Sequence, residues 1–230
     1  MHSRDGSAGN GSVQPRARIF LRPIGSGLPL GFFSFGIGML LLACQAVGWI
    51  PVAEQRDVGM VLMAYVFPLE LLATVVAFLA RDTLGATTLG LFTTSWLTLG
   101  WLELTGPAGG TSIAAGIYLF GFATAVLLLA TLSTLGKPFF SLLLLAASTR
   151  MVLAGIWEVG GPHELETIAG GFALGLTALA MYGGTALALE DARQREVLPL
   201  FRRGSASQAF EGLEPQLERL EAEAGVRQQL

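Results

Sequence analysis

The chain has 230 residues, of which 52% are hydrophobic and only 13% are charged, and its formal net charge is −3. Soluble globular domains carry about 25% charged residues, so this composition indicates a membrane protein. The small net charge gives no indication of a nucleic-acid partner, and the single cysteine, Cys44, excludes a disulfide within the sequence.

The first 27 residues are polar and carry four arginines, Arg4, Arg16, Arg18 and Arg22. They lack the short apolar core and small-residue cleavage site of a signal peptide. We therefore expect residues 1–27 to form a polar cytoplasmic segment ahead of the first membrane span.

Six apolar segments follow, each close to the roughly 20 residues that a helix needs to cross a bilayer. Short breaks rich in glycine and proline separate them, so neighbouring segments are expected to run antiparallel. The sequence therefore predicts an all-α membrane protein with a six-helix domain over residues 28–191. The predicted spans are Leu28–Trp49, Val58–Ala80, Thr83–Leu104, Thr111–Thr131, Pro138–Trp157 and Glu166–Leu189.

Positive charge lies mainly on one side of these spans. That side receives the N-terminal arginines, Arg81, Lys137 and the arginines of residues 193–203, whereas the opposite side receives only Arg56. By the positive-inside rule both termini are predicted to be cytoplasmic. Three tryptophans fall at the opposite, outer ends of the odd-numbered spans, as an interfacial aromatic belt requires: Trp49, Trp101 and Trp157.

The last segment, residues 192–230, is a polar tail that contains a short amphipathic pattern. Its apolar positions recur at spacings of three and four: Phe210, Leu213, Leu217, Leu220 and Ala224. This pattern predicts a helix, which is either a short coiled coil between protomers or a surface helix on its own protein, and two heptads do not decide between them.

The third span carries a stripe of hydroxyl groups on one helical face. Such a face lines a wet passage or bonds to its own backbone and to neighbouring helices. Their number favours a passage, so we predict that these residues line a pore. The stripe consists of Thr87, Thr88, Thr94, Ser95 and Thr98, with Leu91 completing the face.

Two charged residues, Glu70 and Arg150, fall near the midplane of the second and fifth spans. A charge at this depth costs about 3 kcal/mol or more, so each needs a partner or water. Their equal depth and opposite sign predict that they pair. The pair either locks two helices together or is functional, with Arg150 attracting an anion while Glu70 titrates with a coupled proton.

The residue types give no indication of catalysis. The two histidines are His2, in the polar start, and His163, in an outer loop, and no catalytic triad or metal-binding cluster can be assembled from them. We therefore expect neither an enzyme nor a bound metal or cofactor.

Three motifs resemble signatures of the acetate–succinate transporter family. Pro29-Leu30-Gly31 followed by Phe35-Gly36 resembles its N-terminal signature, and residues 82–87, with Trp96 downstream, resemble its Asn-Thr-Phe-Gly-Ala-Thr motif. Residues 178–182 and then 197–199 resemble the end of its sixth span. The order and spacing of the three motifs together make the resemblance specific, and it extends from Pro29 to Pro199.

This resemblance implies a six-helix protomer in a homo-hexamer of the cytoplasmic membrane, with one pathway for acetate or succinate in each protomer. Transport in the family is coupled to protons or channel-like. The family's hydrophobic constriction corresponds here to Phe35, Phe92 and Leu145. Further positions on the implied substrate path are Pro29, Leu30, Gly31, Ala180 and Tyr182.

The chain departs from the family pattern at Ser26-Gly27-Leu28, where the family has Asn-Pro-Ala, and at three single positions. Phe92 stands where tyrosine is common, Glu70 where glutamine is common and Arg150 where an apolar residue is common. These departures bear on acetate specificity and on proton coupling. The leading hypothesis from the resemblance is transport of acetate and similar short-chain carboxylates. The alternatives are a passive channel for urea, short amides or ammonia, and a membrane scaffold or sensor acting through its C-terminal helix.

Overall fold

A computed structural model describes residues 25–193 and 195–203, and within them the chain is helical and contains no strand. Six long helices follow one another along the chain. Their bounds are α1 Leu28–Ala46, α2 Val52–Leu79, α3 Thr83–Thr105, α4 Ile113–Ser133, α5 Pro138–Glu158 and α6 Glu164–Arg193. They coincide with the six apolar segments of the sequence, except that α2 begins six residues earlier than predicted.

Local signals explain where several of these helices begin and end. Pro29 and Pro138 occupy the first turns of α1 and α5, where the missing proline N–H removes no hydrogen bond. Asp82 caps α3, since its Oδ1 accepts a hydrogen bond from the Gly85 backbone N–H at 3.0 Å. Helix α1 ends just before Gly48, whose φ of +77° is the left-handed conformation that terminates many helices.

Helix α2 is irregular in its middle. It starts with a 3₁₀ turn, continues as an α-helix and widens into a π-helical turn at Leu62–Val66, immediately before Phe67–Leu79. Pro68 follows the wide turn, and proline has no N–H to donate to the preceding turn of a helix. The π-helical turn accommodates this loss and sets the rotation of the segment that carries Glu70.

The helices pack in chain order around a closed ring. Helix α1 packs against α2 and most extensively against α6, while α2 packs against α3, α4 against α5, and α5 against α6. The contact between α3 and α4 is the least extensive. Helices α2 and α5 therefore lie on opposite sides of the ring, and α4 separates α3 from α5.

Apolar side chains cover the outside of the ring as well as filling it. Exposed positions on α2 include Leu72, Val75, Phe78 and Leu79, and α4 exposes Leu128 and Leu132. An apolar exterior of this extent is typical of contact with lipid or with other subunits. Five of the six helices are long and apolar enough to cross a membrane, the exception being the hydroxyl-rich α3.

Residues 195–203 return against the end of the ring at which α1, α3 and α5 begin. Leu200 is buried there, and the Tyr182 hydroxyl donates to the Pro199 carbonyl at 3.0 Å. The Arg203 N–H donates to the carbonyl of Gly136, beside Lys137. We call this the Lys137 end of the ring and the opposite one the Trp49 end. The polar N-terminal segment up to residue 24 and the predicted tail helix lie outside the described residues.

Candidate functional site

Three phenylalanines from three helices meet inside the ring. The ring centroids of Phe35 on α1 and Phe92 on α3 are 5.0 Å apart, and those of Phe92 and Phe122 on α4 are 5.1 Å apart. Both pairs meet edge to face, the favourable geometry for aromatic rings. All three side chains are buried. This aromatic cluster (Phe35, Phe92 and Phe122) fills the interior between α1, α3 and α4.

Leu145, the third residue expected at the constriction, does not lie in this cluster. Its side chain is 49% exposed on the outside of α5, whereas Leu144, one residue earlier, is fully buried. Each residue of an α-helix rotates the side chain by about 100°, so an alignment shifted by one residue exchanges inside for outside. Leu145 therefore lies outside the aromatic cluster, and Phe122 of α4 is the third member of that cluster.

Trp96 connects the aromatic cluster to a buried carboxylate. Its ring centroid lies 5.8 Å from that of Phe35, and its indole N–H donates a hydrogen bond to Glu70 Oε2. Both Trp96 and Glu70 are fully buried, and the second oxygen, Glu70 Oε1, has no hydrogen-bond partner. A Cβ atom on Gly38 would lie 2.8 Å from the indole, so only glycine lets α1 approach Trp96 this closely.

The predicted ion pair between Glu70 and Arg150 is not formed. Glu70 faces α3 from α2, and α5 lies on the opposite side of the ring, so the shared depth of the two residues does not bring them together. Arg150 is only 8% exposed, and its Nε has no hydrogen-bond partner. It forms no ion pair with another described residue.

Glu103 of α3 is close enough to act on Arg150 electrostatically, but no hydrogen bond or salt bridge joins the two side chains. Because α4 separates α3 from α5, this interaction crosses the interior of the ring. Gln45 of α1 donates from Nε2 to Glu103 Oε2 at 2.9 Å, and the carbonyl oxygen Oε1 of Gln45 is buried without a partner. Three alternate helices therefore contribute to one polar cluster, defined as Gln45, Glu103 and Arg150.

The polar cluster lies between the aromatic cluster and the Trp49 end. Gln45 and Glu103 follow Phe35 and Phe92 by ten and eleven residues, a rise of about 15 Å along their helices. Arg150 lies deeper, because the neighbouring Ser148 hydroxyl donates to the Ala123 carbonyl, next to Phe122. Arg150 is the only buried cationic side chain among the described residues.

The hydroxyl groups of the α3 stripe differ in their exposure. Thr88 and Ser95 are buried, but Thr94 and Thr98 are exposed, and Thr87 and Leu91 are intermediate. Several of the hydroxyls donate to carbonyls of their own helix, as Thr88 does to Leu84 and Thr98 does to Thr94. Thr93, which the sequence pattern did not single out, hydrogen-bonds to Thr74 of α2 at 3.0 Å. Several hydroxyl groups of the stripe thus form hydrogen bonds with the backbone of α3 itself.

The remaining motif residues lie mainly at helix contacts. A Cβ on Gly31 would collide with Leu89 of α3, so Gly31 is a contact point between α1 and α3. Ala180 is fully buried where α6 meets Gly36 of α1. Pro29 and Leu30 are half-buried in the first turn of α1, and Tyr182 anchors residues 195–203.

Sequence reasoning missed Phe122, Gln45 and Glu103, although two of them carry a local signal. Phe122 follows Tyr118 by four residues, and their rings stack at 5.9 Å. Glu103 continues a face of α3 that already holds Phe92, Trp96 and Leu99, at helical spacings. Gln45 has no comparable pattern around it.

A ring of apolar helices with an aromatic interior and few buried polar groups defines a multi-pass helical membrane protein. Its family places it with membrane transporters and channels rather than with enzymes. Residues 9–200 match the model of the GPR1/FUN34/yaaH family, and the chain belongs to this family. The resemblance seen in the sequence motifs is thereby confirmed.

One solved structure of similar fold is described as the bacterial acetate channel SatP. The two chains superpose with a TM-score of 0.69 at 21% sequence identity, over 77% of this chain and 99% of the channel. At this identity the likeness shows a common fold. A comparison with curated protein sequences gave no match.

Proposed function

We propose that this protein carries acetate and similar short-chain monocarboxylates across the cytoplasmic membrane, through the interior of each protomer. The observation that carries the proposal is the aromatic cluster, in which Phe35, Phe92 and Phe122 fill the ring of a family member at a single level. A dry aromatic constriction passes small solutes with short apolar chains and disfavours longer or strongly hydrated ones.

In this proposal all six helices cross the bilayer, both termini are cytoplasmic and the Trp49 end faces outward. The positions of Arg81, Lys137 and the arginines near residue 200 support this orientation. The exposed Trp49 and Trp101 suit the opposite interface. Six protomers assemble as a homo-hexamer through the apolar exterior, which native mass spectrometry of the purified protein tests.

Flux measurements in proteoliposomes test the function. We expect uptake of labelled acetate that propionate inhibits and that collapses when an uncoupler dissipates the proton gradient. Uptake that persists with the uncoupler makes the protein a passive acetate channel. Succinate in the same assay tests whether the pathway also accepts a dicarboxylate.

A channel for neutral solutes is the competing function, and stopped-flow swelling separates it from acetate transport. Proteoliposomes that swell rapidly in urea or acetamide, and show no protein-dependent acetate uptake, overturn the carboxylate proposal. Empty liposomes measure the intrinsic permeability of the bilayer to acetic acid, which has to be subtracted in every measurement.

A further inference from the structure

Arg150 has the properties of a ligand-binding group rather than of a closed ion pair. It is 8% exposed, its Nε lacks a hydrogen-bond partner, and it forms no salt bridge with a described residue. A buried charge without a hydrogen-bonded partner is costly, and a buried guanidinium normally binds a carboxylate through two parallel hydrogen bonds. The guanidinium therefore has donor capacity available inside the ring.

The carboxylate that acts on Arg150 is already engaged elsewhere. Glu103 Oε2 accepts from Gln45, and the electrostatic influence of Glu158 and Glu166 also falls on Glu103. Glu158 in turn accepts from the Ser112 backbone N–H at 2.7 Å, and Glu166 pairs with His163 at 2.8 Å. The Trp49 end is thus acidic. Arg150 is a buried cation that lies deeper in the ring than these acidic groups.

We propose that Arg150 is a binding site for the carboxylate of the substrate, placed between the acidic Trp49 end and the aromatic cluster. Glu103 acts on the guanidinium electrostatically without pairing with it, so the substrate carboxylate supplies the hydrogen-bonded partner that Arg150 lacks. Arg150 follows Ser148 by two residues, a rise of about 3 Å, and Ser148 bonds to Ala123 beside Phe122, so the site lies near the level of the aromatic cluster. The site presupposes the acetate transport proposed above.

The roles of the two residues predict opposite effects of substitution. Arg150→Met removes the charge-assisted hydrogen bonds to the substrate, so the KM for acetate rises at least about tenfold. Glu103→Gln removes the competing negative charge but keeps an acceptor for Gln45, so the KM falls by about threefold. A purely structural ion pair behaves differently, because loss of either partner then impairs the protein in the same direction.

The experiment measures initial rates of labelled acetate uptake into proteoliposomes for the wild-type protein and for Arg150→Met, Arg150→Lys and Glu103→Gln. Arg150→Lys keeps the charge without the planar fork, so its KM lies between those of the wild-type protein and Arg150→Met. Thr149→Ala is the matched control on α5, because the Thr149 hydroxyl only donates to Leu145 within its own helix. Acetamide, the neutral analogue of acetate, should inhibit all variants equally.

The outcomes separate this site from the transport function. If the wild-type protein takes up no acetate, the proposed function and the site both fail. If it does, and the KM of Arg150→Met equals that of Thr149→Ala, the site alone is overturned. Should Arg150→Met not fold, a KM of Glu103→Gln that is unchanged or raised overturns the site, and a lowered KM supports it.

Discussion

Trp96 and Glu70 join α3 to α2 through a hydrogen bond that is buried away from solvent: the indole N–H donates to Oε2 of the carboxylate. The same indole packs against Phe35 of the aromatic cluster. Glu70 therefore bears on the position of Phe35 through Trp96, because any change that rotates the indole also moves the surface against which Phe35 rests. The π-helical turn of α2 and Pro68 place Glu70 for this contact.

We expect the Trp96–Glu70 hydrogen bond to give a clear coupling in a double-mutant cycle. Glu70→Leu leaves the indole N–H without a partner and Trp96→Phe leaves the carboxylate without one, so each costs about 1–3 kcal/mol of stability. The double variant removes both groups and costs less than the sum of the two. Glu70→Gln keeps an acceptor and serves as the control.

Thermal unfolding of the purified protein in detergent, monitored by size-exclusion chromatography, ranks the stability of these variants. Additive losses of stability in the double variant would contradict a direct interaction between the two side chains. A second readout is the acetate uptake of Glu70→Gln, which is expected to stay close to that of the wild-type protein, since the indole keeps its orientation.

The aromatic cluster predicts that Phe122, and not Leu145, limits the size of the solute. Phe122→Leu opens the constriction, so the ratio of butyrate to acetate uptake rises about tenfold, the usual value of one or two methylenes in an apolar site. Leu145→Ala, on the exposed face of α5, leaves this ratio unchanged. The ratio is measured for both variants with a series of unbranched acids. A change of the ratio in Leu145→Ala alone would instead support Leu145 as the constriction residue, as the family resemblance implies.

The contrast between Phe122 and Leu145 shows what the sequence can and cannot predict here. Helix positions follow from apolar length, from prolines and from caps such as Asp82, which are local signals. The inward position of Phe35 and Phe92 was expected from the resemblance to the family motifs. The rotation of α5 and the placement of α2 and α5 on opposite sides of the ring depend on contacts between distant segments. For that reason the depth of Glu70 and Arg150 was predictable and their pairing was not.

Asp82 at the Lys137 end is expected to matter more for stability than its ion pair suggests. It accepts from the Gly85 N–H as the cap of α3, and both its oxygens lie 3.0 Å from Lys137 Nζ on the loop before α5. A helix cap contributes about 0.5–2 kcal/mol, whereas a partly exposed ion pair contributes about 0–1 kcal/mol.

Asp82→Ala loses both interactions, Asp82→Asn keeps an acceptor for the cap, and Lys137→Met loses only the ion pair. We therefore expect the melting temperature to fall most for Asp82→Ala and less for the other two. Raising the salt concentration should narrow the difference between the wild-type protein and Lys137→Met and leave the deficit of Asp82→Ala largely in place. Equal losses in all three variants would mean that the cap contributes nothing measurable.

Residues 195–203 are expected to be part of the folded membrane domain. Leu200 is 6% exposed against the helix ends, and Arg202 Nη1 lies 2.6 Å from Glu190 Oε1 of α6. Burial of a leucine side chain contributes about 1.5–3 kcal/mol. Deletion of residues 205–230 should leave acetate uptake and the melting temperature unchanged, whereas deletion from residue 195 onward should lower both.

Leu200→Ala isolates the buried side chain from the rest of the segment, and Val197→Ala, at a position that is 43% exposed, is its control. Leu200→Ala should lower the melting temperature measurably, since it leaves a cavity beneath the Tyr182–Pro199 contact. Val197→Ala should not. Loss of uptake on deletion of residues 205–230 alone, with the melting temperature preserved, would instead assign the tail a direct role and favour the scaffold or sensor hypothesis over transport by the ring alone.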